Sequence, residues 1–374
     1  MSEFLELTGP LSVTARVLIG LGLLSAAAAL ILWLATLIAG WRVAAGGLGL
    51  VIGGGLLAIL FLPVGTAGLG APPDPAATFE DAVARFEQDL AASPVPLNPL
   101  CAPELMTHGG RTGTVVVLIH GVSSCPRAFV DLAPLLHARG HTVMTVRLPQ
   151  NGHADRATDA LRLMTAEALA AFGDEVVDVA SGLGDSVVVL GISAGGTVAG
   201  WTAQTRGEVD RAVLVAPFYG LGSFGPRLNV ALMRAMLILP DVSIWKDPVA
   251  RAAFEGGMPH AYKRQSTRAT GEIMRLGFAT WRLAREDAPR AGEIVVVTND
   301  ADSAVSNETT GAVVGAWEAD GTHVVTHTFP AHHGLGHELI DPMEPGANPA
   351  ITYPVIVGLL EGGTPLEGGA ALAD

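Results

Sequence analysis

Residues 187–196 read Val-Val-Val-Leu-Gly-Ile-Ser-Ala-Gly-Gly, an apolar β-forming run that ends in a serine between small residues and passes straight into a helix-forming stretch, Thr197 to Gln204. No other segment limits the fold so tightly. A G-x-S-x-G at such a junction asks for a strand-to-helix turn too sharp for side chains two residues either side of Ser193. It also asks for a strained serine whose hydroxyl is lifted clear of the sheet edge. The five-residue pattern alone arises easily in a chain with 46 glycines, where its plain alternative is a glycine-rich turn. The preceding strand and following helix give it weight.

Strand and helix alternate around this segment. Strands are expected at 114–119, 142–147, 187–192, 212–216, 294–298 and 323–329, with helices at 126–139, stopped by Gly140, and at 166–180, stopped near Gly182 and Gly184. Such alternation builds an α/β fold, a mostly parallel sheet with helices on both faces. The interval from Ala216 to Ile294 breaks the rhythm. Its helical stretches, 229–239 and 271–284, are expected to form an inserted helical cap, about 219–290, over the ends of the strands.

Apolar residues make up 49% of the 374 positions, and the surplus sits at the front. Val17 to Gly40 and Val43 to Pro73 carry no charge, and each exceeds the about 20 residues that cross a hydrocarbon core. Residues 1–70 are therefore expected to form a transmembrane hairpin, helices about 17–40 and 43–64, turning at Trp41 and Arg42. That expectation makes the chain a two-span membrane protein with the lipid bilayer as a partner. The lone charge of Arg42 in the turn, set against flanks that hold Glu3, Glu6, Asp74, Glu80 and Asp81 with Arg16 and Arg85, favours an extracytoplasmic body. Cys101 and Cys125, the only two cysteines, favour a disulfide and an oxidising compartment, with two free buried thiols as the alternative.

Residues 71–100 read as a linker. Within it, Thr78 and Asp81 resemble a capping box, and Phe79, Val83, Phe86 and Leu90 recur at helical spacing. Residues 101–374 form the main body. The net charge of −14 argues against nucleic acid as a partner, although 219–290 carries 11 Lys and Arg against 6 Asp and Glu.

A serine hydroxyl becomes a nucleophile when a histidine removes its proton and a carboxylate orients that histidine. The loop after 294–298 reads Asn299-Asp300-Ala301-Asp302-Ser303-Ala304-Val305. Asp302 is preferred, because in D-x-x-V the valine packs down and turns the aspartate toward the next loop; Asp300 is the alternative, with turn capping as its plain role. The loop after 323–329 offers His332, His333 and His337. His337 is preferred, since Gly336 leaves room beside it and the loop has travelled far enough to fold over the serine. Oxyanion donors are expected from the backbone N–H groups of Ala194 and of Val122, where Gly121 lets the chain turn. His120 reads as an anchor of that loop, and a Cys101–Cys125 bond would brace it.

From about Leu97 to the last helix the chain resembles the α/β-hydrolase superfamily, nearest to bacterial carboxylesterases and monoacylglycerol-lipase-like serine hydrolases. The resemblance is carried by Leu118-Ile119-His120-Gly121, by Leu148-Pro149-Gln150-Asn151-Gly152-His153, by the Ser193 segment, by Asn299 to Val305, and by Gly334-Leu335-Gly336-His337-Glu338-Leu339. It implies an α/β-hydrolase fold and a small-molecule acyl ester substrate. It also implies cleavage through Ser193, His337 and Asp302 by way of an acyl-enzyme, with no metal and no organic cofactor. The acid and the histidine follow the serine in the family's order. Leu232, Met233, Met236, Leu237, Ile238 and Leu239 point to a lipid-like acyl group, with cap core as their plain role. Two other readings are a peptidase or amidase of the same fold and a catalytically silent, membrane-tethered binding protein.

Overall fold

Valine-rich runs bounded by glycine fold here as buried strands, and they dominate the computed structural model. It describes residues 63–363 without a break and, before them, 25–31, 33, 34, 46, 47, 49–51, 53–55, 57 and 61. The chain divides into two units, Met1–Val64 and Gly65–Asp374.

The first unit corrects the sequence reading. Among the described residues no helix is long and apolar enough to cross a membrane. The expected transmembrane hairpin over residues 1–70 is overturned, and with it the two-span membrane localisation and its extracytoplasmic body. Freedom from charge is one condition for a span; a continuous helix of about 20 residues is another. The longest described helical stretch in the two runs is 25–31. Of the two runs, positions 17–24, 32, 35–40, 43–45, 48, 52, 56, 58–60 and 62 lie outside the described residues.

In the second unit the described strands are β1 (Glu104–Met106), β2 (Thr112–Ile119), β3 (Thr142–Val146), β4 (Gly184–Ile192), β5 (Arg211–Val215), β6 (Ser243–Trp245), β7 (Arg264–Ser266), β8 (Glu293–Asn299) and β9 (Val324–Phe329). The described helices are α1 (Phe79–Arg85), α2 (Leu132–Ala138), α3 (Ala166–Leu183), α4 (Ala194–Thr205), α5 (Pro226–Ile238), α6 (Thr267–Leu283), α7 (Asn307–Ala319) and α8 (Pro349–Leu360). One sheet runs in the order β1-β3-β2-β4-β5-β8-β9, parallel except for β1, which pairs antiparallel with β3. Each of the six strands expected from the sequence is present. Val117 sits opposite Met144 on one side and Val189 on the other, and Val213 opposite Leu190 and Val295.

Every residue of β3, and β4 from Val187 to Ile192, is buried. Successive strand residues point to opposite faces, so helices cover both. α3 and α4 pack on each other and on β4, while α2 covers β3 and α8 reaches β5.

Three local features depart from the sequence pattern. The helix expected over 126–139 is divided into a 3-10 turn, Pro126–Phe129, and α2. The break lets Phe129 and Leu132 both reach the core, where each is fully buried. α1 is capped as expected, with Thr78 Oγ1 accepting from Asp81 N–H at 3.1 Å, but it passes into a π turn over Phe86–Leu90. Between β5 and β8 the chain makes α5, the antiparallel β6–β7 pair and α6, and α6 packs on α3 and α4.

Candidate active site

β4 delivers Ser193 to the C-terminal rim of the sheet, and α4 begins at the next residue. Ser193 has φ 56° and ψ −116°, a sparsely populated conformation costing about 1–3 kcal/mol. Its neighbours hold it there: Ser193 N–H donates to the Val215 carbonyl and Phe218 N–H to the Ser193 carbonyl, both at 3.0 Å. The glycines of the motif are steric requirements. A Cβ at Gly191 would lie 2.1 Å from the Gly195 carbonyl oxygen, and one at Gly195 would lie 2.0 Å from that of Ile119.

The loop leaving β2 lies against this serine. A Cβ at Gly121 would come within 3.2 Å of Ser193 Cβ and 3.7 Å of its Oγ. Among the described residues the amides of Val122 and Ala194 donate to no protein group. Ser123, next in the loop, holds φ 63°. His120 is fully buried: its Nε2 accepts from Leu148 N–H at 3.1 Å, so its Nδ1–H donates to the Gly121 carbonyl at 2.8 Å. Burial pushes this imidazole down to about 3, which makes it a neutral anchor of the loop. Cys101 and Cys125 form a disulfide with Cα atoms 5.3 Å apart, tying the end of the loop to the Pro99–Cys101 turn.

β8 and β9 lead to the acidic and histidine loops. Asp302 Oδ2 accepts from His337 Nδ1 at 2.7 Å; the Asp302 side chain is wholly buried and that of His337 is 27% exposed. Burial alone would raise Asp302, but the hydrogen bond and charge of His337, with the Ala304 and Val305 amides, hold it below the usual carboxylate range. Burial alone would likewise lower His337. The hydrogen bond and charge of Asp302, joined by the charges of Glu338 and Glu344, outweigh burial and raise it above the ordinary imidazole value. Of the alternatives, Asp300 and His332 are exposed. The His333 ring stands edge-on to Phe329 and tilted against His332.

Two participants carried no clear signal in the sequence. Asn299, fully buried at the end of β8, donates through Nδ2 to the carbonyls of Leu335 at 3.1 Å and Gly336 at 2.8 Å, the two residues before His337. Its place at the head of the Asn299 to Val305 segment, closing an apolar strand, marked the position without saying what the side chain does. Glu338 is buried, and burial pushes its carboxyl up to about 7. Met233 belongs to a core junction: with Val230, Met274, Phe278 and Trp281 it lines a cavity of about 20 Å³, room for a water and not for an acyl chain. Among the described residues no group of three or more His, Cys, Asp or Glu side chains is arranged to hold a metal ion.

A strained serine on the C-terminal rim of a parallel sheet, with a histidine–aspartate pair on the loops that follow later strands of the same sheet, fits a serine hydrolase. Residues 116–348 match the model of the Alpha/beta hydrolase family, and the chain belongs to that family. Among solved structures, it resembles the monoacylglycerol lipase of Paleococcus ferrophilus, with a TM-score of 0.51 at 16% identity over 69% of this chain and 96% of that one. A soluble variant of monoglyceride lipase from Saccharomyces cerevisiae, in complex with a substrate analog, gives 0.49 at 14% identity over 70% and 90%. A structure from the work on the metagenome-derived lipolytic enzymes LipS and LipT gives 0.47 at 17% identity over 63% and 88%. At such identities the first of these likenesses shows the fold alone. No curated protein matches the chain.

Proposed function

We propose that this chain hydrolyses carboxylic esters of small-molecule size through Ser193, His337 and Asp302. The observation that supports it best is the 2.7 Å bond between His337 Nδ1 and Asp302 Oδ2, on loops leaving the same rim as Ser193. A carboxylate only accepts, so Nδ1 carries the proton and Nε2 is left as the base. Nε2 takes the Ser193 proton while Oγ bonds to the ester carbonyl carbon. The resulting oxyanion accepts from the amides of Val122 and Ala194. Collapse breaks the ester C–O bond, and the leaving alkoxide takes the proton back from His337. Water, deprotonated by the same histidine, then releases the acid and regenerates the serine. In this reading residues 101–374 form the catalytic domain, about 219–290 its cap, and 71–100 a linker.

The family and the rim geometry leave a silent binding protein without support. p-Nitrophenyl esters graded from acetate to palmitate, assayed with wild type and Ser193→Ala, test the reading and rank acyl length. The expected result is turnover that the substitution lowers by about 10⁴-fold or more, with loss of fluorophosphonate labelling. Activity that survives Ser193→Ala sinks it. Prolyl and aminoacyl amides run beside the esters should turn over more slowly; the reverse ranking would favour a peptidase.

A further inference from the structure

A buried ionisable pair joins the insertion to the His337 loop. His260 Nε2 and Asp341 Oδ2 stand 2.7 Å apart, and both side chains are fully buried. His260 comes from the insertion, between β6 and β7; Asp341 lies four residues after His337. Among the described residues His260 Nδ1 has no hydrogen-bond partner, so the bond to Asp341 is what fixes the ring. The other carboxylate oxygen, Asp341 Oδ1, accepts from Met343 N–H at 2.9 Å and orients the turn that closes the His337 loop. A buried pair of this kind is poor evidence for stability, and specifying one arrangement is the better account of it.

The segment around His260 is also fastened to the oxyanion loop. Tyr262 N–H donates to the Ser123 carbonyl at 2.8 Å, and the Tyr262 hydroxyl donates to the Gln150 carbonyl at 2.9 Å. Asn98 Nδ2 donates to the Pro259 carbonyl at 3.2 Å. One short stretch of the insertion therefore holds the loop of Val122 through Ser123 and the loop of His337 through Asp341.

We propose that His260 and Asp341 form a positioning pair, by which the insertion sets the His337 loop in register with the oxyanion loop. The proposal rests on the reading of His337 as the base. The far side of the loop has its own supports, Asn299 on the carbonyls of Leu335 and Gly336 and the Tyr353 hydroxyl on the Ile340 carbonyl at 2.8 Å. Loss of the pair therefore frees the loop toward the insertion without unfolding it. A displacement of about 1 Å at a catalytic group costs about 100-fold in rate.

The test compares kcat and KM for p-nitrophenyl acetate in the full chain and in its His260→Ala, His260→Gln, Asp341→Asn and His337→Ala variants, with circular dichroism to verify folding. His260→Ala is expected to lower kcat about 10- to 100-fold while KM changes by less than about threefold. His260→Gln, whose amide can still donate to Asp341, is expected to restore most of kcat. Added to His337→Ala, the His260→Ala change is expected to cost nothing more, because the group it positions is gone. A folded His260→Ala enzyme with wild-type kcat, or a full additional loss on top of His337→Ala, overturns the proposal. If His260→Ala does not fold, Asp341→Asn decides: lower kcat at nearly constant KM supports the pair, and unchanged kcat overturns it. A His337→Ala enzyme that keeps its rate overturns the base assignment itself, whatever the His260 variants do.

Discussion

Asp302 gives one oxygen to His337 and the other to its own loop: Oδ2 accepts from His337 Nδ1 at 2.7 Å, and Oδ1 accepts the amides of Ala304 and Val305 at 2.8 and 3.2 Å. The carboxylate is thereby locked toward the imidazole. Asp302→Asn is expected to lower kcat by about 10³- to 10⁴-fold, through loss of the oriented tautomer. The pH profile should move as well. His337 is raised, and the proposed base acts only when neutral, so wild-type kcat/KM should climb with pH through a midpoint above about 6.5. Without the Asp302 charge that midpoint should fall. A profile that stays in place would contradict the coupling.

Glu338 carries a pH-dependent stability of opposite sign to an ordinary paired carboxylate. Burial lifts it to about 7, above its unfolded value near 4.3. Its favourable contribution is present below that unfolded value and is lost as pH rises through 7. Glu338→Gln should match wild type in urea unfolding at pH 4 and exceed it by about 3 kcal/mol at pH 9. Equal stability at both values would show that the carboxyl is better solvated than its surroundings suggest. The variant should also lower the kcat/KM midpoint, since the Glu338 charge helps His337 hold its proton.

The Cys101–Cys125 bond closes a separation of 24 residues, for which restriction of the unfolded chain contributes about 3 kcal/mol. Replacing both cysteines by serine should lower the melting temperature by about 5–10 °C. Turnover should fall more steeply than substrate binding, because Cys125 ends the loop proposed to bind the oxyanion. Calorimetry and kcat measurements on the double variant check both; a melting temperature within a degree of wild type would refute the bracing role.

Glycines in this chain divide by what surrounds them. A Cβ at Gly195 would drive into the Ile119 carbonyl, so Gly195→Ala should separate α4 from β2 and abolish activity. Gly311 and Gly315 sit exposed within α7 with nothing in reach of a Cβ. Alanine at either should stabilise by about 0.5–1 kcal/mol and leave turnover unchanged. Chemical denaturation of the three variants separates the two classes.

The local grammar of the fold was legible in the residues. Runs such as Val115 to Ile119 and Val187 to Ile192 are buried on both faces, so they appear as unbroken apolar stretches bounded by glycine, and the steric demands of the elbow are met within a few residues of Ser193. β1, only Glu104–Met106, is too short to show a period. The break between Phe129 and α2 follows from what each buries, which spacing along one helix does not encode. At the front of the chain, composition misled: lack of charge says what a segment tolerates, whereas a membrane span also requires a long continuous helix.

Among the site residues, Ser193 was marked by its own neighbours, while Asp302 and His337 stood as preferences among close rivals. Tertiary structure pairs these two across 35 positions, and it joins His260 to Asp341 across 81. The residues by themselves determined the sheet and the turn that raises the serine, because those depend on backbone sterics and burial over short stretches. Which carboxylate meets which imidazole was decided only when strands distant in sequence became neighbours, because a hydrogen bond depends on separation in space and leaves no period along the chain.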